Sequence, residues 1–131
     1  MPAHRKEKLS SLVREVVSEI ISRKLNDPRI EPLTTVTRVE LTGDLAVAKV
    51  FLSVTADDAA ERRTLAAIRH AAGFMQRILA GQLTLRQCPQ LQFQIDAGAK
   101  AARRTIELIE QNRREREDQS ADDEQDPVGD Q

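Results

Sequence analysis

The side chains in this chain that could do chemistry are its arginines and lysines, and the chemistry they suit is binding phosphates. A catalytic set is missing. His4 and His70 lie far apart, and neither has a Cys or carboxylate at metal-ligand spacing, so no metal site is expected. Cys88 stands beside Pro89 at the entrance to a strand and reads as a small packing residue rather than a nucleophile. The five glycines are scattered, and none builds a phosphate-cradling loop after a strand. Asp57-Asp58 suits a helix start, and Asp122-Asp123 a tail, better than a carboxylate pair for acid–base work. No enzyme and no cofactor are expected. Arg62, Arg63, Arg69 and Arg77 gather on either side of Ala71-Ala72-Gly73, and Lys49 and Arg86 extend the basic set. Each suits phosphate neutralisation, and each equally suits a solvated face. The only aromatics are Phe51, Phe74 and Phe93. Phe93 shares an alternating face with Leu91 and Ile95 and reads as core, and Phe74 reads as packing. Phe51, beside Lys49, is the one candidate for stacking on a base; partial burial beneath a helix is the alternative.

The formal net charge of −1 conceals an asymmetry. Residues 117–131 hold seven acids and no Lys or Arg, which leaves residues 1–116 with 20 basic and 14 acidic side chains, a net of +6. Such a body attracts polyanions, although a charge of this size is also ordinary for a small soluble domain. With 131 residues the chain suffices for one domain with one core. No run of about 18 apolar residues could span a membrane. The N-terminal MPAHRKEKLSS lacks the apolar segment of a signal peptide. A single cysteine excludes an intrachain disulfide and fits a cytoplasmic location.

The elements that must position these residues follow from periodicity. Leu9, Leu12, Val13, Val16, Val17, Ile20 and Ile21 form one stripe at helical spacing, so the first helix is a core helix. Pro28 biases Asp27 away from helical dihedrals, and this helix should end near Leu25 or Asn26. Thr34 to Thr42 reads as a strand of imperfect alternation, Gly43-Asp44 as a turn, and Leu45 to Thr55 as a second strand. In the second strand Ala46, Ala48, Val50, Leu52 and Val54 share one face. Asp57 or Asp58 can cap the next helix, and Asp58 and Glu61 have capping-box spacing. Gly73 interrupts the helical pattern at a cost of about 1 kcal/mol against alanine, which suits a kink as well as a tolerated glycine in a straight helix. Leu91 to Ile95 alternate strictly as a third strand, and a last helix runs from Ala99 to about Glu117 with Ala102, Ile106 and Ile109 as a thin stripe. Residues 118–131, acidic and almost without apolar content, are expected to form a disordered tail, with the domain spanning 1–117.

Several of these segments together carry a resemblance. Asp27-Pro28-Arg29-Ile30 closing a helix, Thr34-Thr35-Val36-Thr37, Asp44-Leu45-Ala46-Val47-Ala48-Lys49-Val50, Ala71-Ala72-Gly73-Phe74, and Leu85-Arg86 followed by Pro89-Gln90-Leu91-Gln92-Phe93 resemble the bacterial ribosome-binding factor A family over residues 5 to 109. The resemblance implies an α+β, type II KH-like domain: a three-stranded sheet with helices packed on one face and a helix–kink–helix at Ala71-Ala72-Gly73. KH domains usually grip single strands with a Gly-x-x-Gly loop. Here an Ala-x-Gly kink replaces it, as the family pattern implies. Gly98 stands where the family usually carries serine.

What the resemblance implies about function is specific. A member would bind free, immature 30S subunits and assist late 16S rRNA maturation near its 5′ end, with growth in the cold the demanding condition. It would be a cytoplasmic monomer whose partners are the small ribosomal subunit and 16S rRNA, without cofactor, metal or membrane. Candidate RNA contacts are Arg62, Arg63, Arg69, Ala71, Ala72, Gly73, Arg77, Lys49 and Arg86. The rival readings are a general single-stranded-RNA module of KH type, and a protein-interaction domain whose basic face is incidental.

Overall fold

The computed structural model describes residues 2–83 and 88–125. The chain divides into two units, Met1–Asp96 and Ala97–Gln131. In the first unit, helix α1 (Pro2–Glu19) continues into a π-helical turn, Ile20–Lys24. Strands β1 (Thr34–Leu41) and β2 (Val47–Val54), helices α2 (Asp58–His70) and α3 (Ala72–Gln82), and strand β3 (Gln90–Ile95) follow. The sheet order is β1-β2-β3, with β1 antiparallel and β3 parallel to β2. This is the α+β arrangement expected from the sequence, with all three helices on one face.

The helical stripe of α1 is the core stripe. Leu9, Val13, Val16, Val17, Ile20 and Ile21 are all buried, with Leu12 packed at their margin. They meet Val36 and Leu41 of β1, Ala48, Val50 and Leu52 of β2, Leu91 and Phe93 of β3, and Ile68, Met75 and Leu79 from α2 and α3. The π turn closes with Leu25 N–H donating to Ile20 C=O at 2.9 Å, and the helix ends at Lys24, one residue before the expected stop. Widening the last turn keeps Ile20 and Ile21 on the core face while the chain leaves toward Pro28.

The imperfect alternation of β1 has a structural cause. Val36 pairs with Leu52 and Arg38 with Phe51, so Thr37 is an extra residue, a β-bulge. The bulge changes the strand's parity. Val36 points into the core before it, and Leu41 after it. Thr37 Oγ1 lies 2.7 Å from Asp96 Oδ2 and 3.2 Å from the Phe51 carbonyl, so the bulged residue is tied to both β2 and the end of β3. The β1–β2 loop turns at Gly43-Asp44 as expected, Leu45 N–H donating to the Thr42 carbonyl at 2.9 Å, but β2 starts at Val47 rather than Leu45. Asp44 Oδ1 accepts from Thr42 Oγ1 (2.7 Å) and Ala46 N–H (3.1 Å), an Asx turn, and the left-handed residue is Leu45 at φ 60°, not glycine. Leu45 packs against the core, which offsets its backbone strain.

Among the described residues the second unit is a helix, α4 (Ala97–Gln125). The expected boundary at residue 117 falls inside it, and residues 118–125 are helical rather than irregular. Low apolar content argues against burial, not against a helix. Arg, Glu, Gln and Ala are good helix formers, and Arg103–Glu107 (3.6 Å) and Glu110–Arg113 (2.9 Å) form pairs along one surface. Residues 126–131 lie outside the described residues.

Candidate nucleic-acid interface

The α2–α3 elbow is built from the core outward. Asp57 is the N-cap of α2, its Oδ1 accepting from Ala60 N–H at 2.7 Å, which places Asp58 and Glu61 one position out of capping-box register. Glu61 is buried instead. At the other end Ala71 N–H donates to the Ala67 and Ile68 carbonyls, both at 3.1 Å, and Ala71 adopts φ −86° and ψ 2°. That ψ interrupts the helical repeat, and α3 restarts with Met75 N–H donating to Ala71 C=O at 3.1 Å. Ile68 before the break and Met75 and Leu79 after it are fully buried, so packing on the sheet holds both arms. The kink is where the sequence placed it, but Gly73 does not cause it. Gly73 is exposed, its φ is not positive, and a Cβ built there would meet nothing within 4 Å.

The elbow carries concentrated positive charge. Between Glu61 and Asp96 the chain has five arginines and no carboxylate. Arg62, Arg63 and Arg69 are exposed on α2 and Arg77 on α3, while Ala71 and Ala72 at the break are half-buried. Arg62 and Arg69, seven residues apart, share a helix face about 10.5 Å apart along the axis. Arg69 is also anchored: its Nη2 and Nε donate to the Phe93 carbonyl at 2.8 and 3.2 Å. Gln76 makes a matching contact from α3, its Oε1 accepting from Leu91 N–H at 2.9 Å and its Nε2 donating to the Pro89 carbonyl at 2.6 Å. Sequence reading missed Gln76. A polar residue on an otherwise core-facing helix opposite an edge strand was the only available signal. Cys88 lies beside it, 3.2 Å from Gln76 Nε2, and burial pushes its thiol above the ordinary value, as suits a packing residue.

The fold separates Lys49 and Phe51 from the elbow. Both alternate with the buried Ala48, Val50 and Leu52, so they lie on the sheet face opposite the helices. Lys49 is paired across the strands with Glu40. The Phe51 ring is neither beneath a helix nor free for a base: the Arg38 guanidinium sits 4.0 Å from its centroid. Arg38 is held there by Glu40 (3.2 Å) and Asp96 (3.8 Å). Arg86 and Leu85 lie outside the described residues.

A second polar device stiffens the approach to the elbow. Asp27 accepts from Arg29 through the backbone N–H (2.9 Å), Nε (3.1 Å) and Nη2 (2.7 Å). The Arg29 side-chain bonds hold the Asp27 carboxyl down at about 2. Thr64, fully buried on α2, donates to the Arg29 carbonyl (3.1 Å) and accepts from Glu31 N–H (3.2 Å), which locks this loop to α2. Among the described residues no group of three His, Cys, Asp or Glu side chains could hold a metal ion. What the elbow offers is a set of exposed arginines on two helical arms, anchored to β3 through Arg69 and Gln76 and suited to a phosphate backbone.

Comparison with known proteins adds to this geometry. The family model described as ribosome-binding factor A matches residues 5–109. The ribosome-binding factor A of Thermomicrobium roseum is 38% identical over 122 residues, covering 92% of this chain and 94% of that protein. The crystal structure of ribosome-binding factor A from Thermus thermophilus superposes with a TM-score of 0.60 at 28% identity, covering 69% of this chain and 93% of that one. A Thermus thermophilus ribosome-binding factor A homology model, fitted into a cryo-electron-microscopy map of its complex with the 30S subunit, matches with a TM-score of 0.55 at 26% identity, covering 66% and 90%.

Proposed function

This chain belongs to the ribosome-binding factor A family, and on that premise we propose that it binds free, immature 30S subunits and assists late maturation of 16S rRNA near its 5′ end. The observation that carries the reading is the family match over residues 5–109, which covers the first unit from within α1 to its end. Binding is assigned to residues 1–117, with Arg62, Arg63, Arg69 and Arg77 meeting rRNA phosphates beside Ala71, Ala72 and Gly73. Lys49 would contact a different part of the subunit, because it lies on the opposite sheet face. The acidic end, 118–131, stands outside the binding domain.

The mechanism is differential affinity. A factor that binds one rRNA conformation more tightly raises its population without turnover, and leaves when that surface closes or another factor displaces it. Misfolded RNA helices rearrange slowly in the cold, so low temperature would expose its loss most. Such a role implies a cytoplasmic monomer that needs no cofactor. The rival reading, a base-selective single-strand module, is disfavoured by the outer edge of β3. Pro89, Leu91 and Phe93 already have backbone groups bonded to Gln76 and Arg69, which leaves fewer free to read bases.

Sedimenting a lysate through a gradient tests the assignment. The protein is expected with free 30S subunits and depleted from 70S ribosomes and polysomes, with an association that weakens steeply as salt rises. A protein confined to the top of a low-salt gradient would overturn it. Tight, base-selective binding to short oligonucleotides, with none to the subunit, would favour the rival.

A further inference from the structure

Strand β3 is an edge strand, yet part of its outer edge is occupied. Odd-numbered residues of β3 turn their backbone groups away from β2, whereas Gln90 and Asp96 donate back to Ala46 and Leu52. An open edge presents C=O and N–H groups two residues apart, the pattern that a neighbouring strand reads. Gln76 fills that pattern with one side chain. Its amide accepts from Leu91 N–H and donates to the Pro89 carbonyl, and these two partners fix which end of the amide is oxygen. Arg69 takes another outward acceptor farther along the strand, the Phe93 carbonyl. One anchor therefore stands on each side of the Ala71 break, and both land on the same strand.

These anchors do something that burial cannot. Met75 and Leu79 already bury α3, and hydrophobic contact has no direction. Hydrogen bonds do, so the amide sets the rotation of α3 as well as its contact. Arg77 is the next residue along and is exposed, so its direction depends on that rotation. We propose that Gln76 is a positioning residue for RNA binding: by standing in for a fourth strand on β3 it orients Arg77 relative to Arg62 and Arg63, without touching RNA itself. The inference rests on the subunit-binding reading above.

The test is Gln76→Glu at two pH values. A protonated glutamic acid keeps the shape, one donor for Pro89 and one acceptor for Leu91. An ionised carboxylate loses the donor and faces the Pro89 oxygen. That confrontation favours the protonated form, so the exchange falls above the ordinary glutamate range. Affinity for purified free 30S subunits would be titrated from 50 to 200 mM salt at pH 5 and pH 8, beside the wild type and with melting temperatures recorded. At pH 8 the variant should bind at least about threefold more weakly at low salt, with a salt slope shallower by about one phosphate contact. At pH 5 both should move back to the wild-type values. Gln76→Met, which keeps the length and apolar stem, should be weakened at both pH values. A variant that melts lower but keeps wild-type affinity and slope at pH 8 would show a structural role only and overturn the proposal. So would wild-type binding by Gln76→Met. A wild type that fails to bind subunits would sink the subunit-binding reading itself, a separate outcome visible in the same titration.

Discussion

Gly73 shows how far a residue type can mislead. A glycine in a helical pattern suited either a kink or a tolerated glycine in a straight helix, and the structure has a kink that Gly73 does not make: the break lies at Ala71 and the space around Gly73 is open. Gly73→Ala should therefore raise stability, by up to about 1 kcal/mol, through helix propensity and a less flexible unfolded chain. Subunit binding should be unchanged. Urea denaturation and the gradient assay together check this, and a loss of stability would restore the steric role. Asp27 gives a second prediction. Its carboxyl is held at about 2 in the fold against an ordinary 3.8, chiefly by the Arg29 side-chain bonds. A lowered folded value means that the contribution is present above the unfolded value and is lost as pH falls through the folded one. The stability gap between wild type and Asp27→Asn should therefore be flat from pH 7 to 5 and close between pH 4 and 2. A gap that persisted at pH 2 would mean that charge is not what Asp27 contributes.

At the scale of elements, the bulge in β1 reconciles a mixed pattern with a one-sided core. Val36 and Leu41 are an odd number of positions apart, so unbroken alternation would put them on opposite sides of the sheet. The extra residue, Thr37, brings both to the core face. Deleting Thr37 should close the bulge into a regular ladder, with Val36 still against Leu52 and Arg38 still against Phe51, and with the core intact. The cost should then be that of the one proton the hydroxyl donates, to Asp96 at 2.7 Å with the Phe51 carbonyl as the more distant acceptor, about 0.5–1.5 kcal/mol in all. Thr37→Ala, which keeps the bulge and loses the same hydroxyl, should cost a similar amount. Chemical denaturation of the two variants compares them. A deletion far more costly than the substitution would show that the bulge itself, through the twist it gives β1, is needed for the sheet to pack.

Across the whole molecule, the acidic end and the arginine elbow belong to different units. Deleting residues 119–131 removes the last seven helical positions of α4, 119–125, and should lower the helical circular-dichroism signal. The melting temperature of the first unit should be nearly unchanged, because its core is drawn from residues 9 to 93. Nonspecific RNA binding should strengthen as a local polyanion is lost. A large fall in melting temperature would show that the segment stabilises the sheet domain.

The core was legible in the sequence, and so was the charge. The stripe from Leu9 to Ile21, the alternation of β2 and β3, the break near Ala71 and the basic body all follow from local periodicity and composition, which depend on neighbours in the chain. Other features depended on residues far apart in sequence and were decided by the fold. Lys49 and the elbow arginines looked like one set until the sheet put a layer of core between them. Phe51 looked free until the bulged register set Arg38 across from it. Gln76 carried only a faint sequence signal, a polar residue on an otherwise core-facing helix, because an amide acquires its role only from the edge strand that arrives opposite it. Even the helix beyond residue 117 follows this division: composition shows that a segment cannot be buried, whereas its backbone conformation is set by bonds that need no burial.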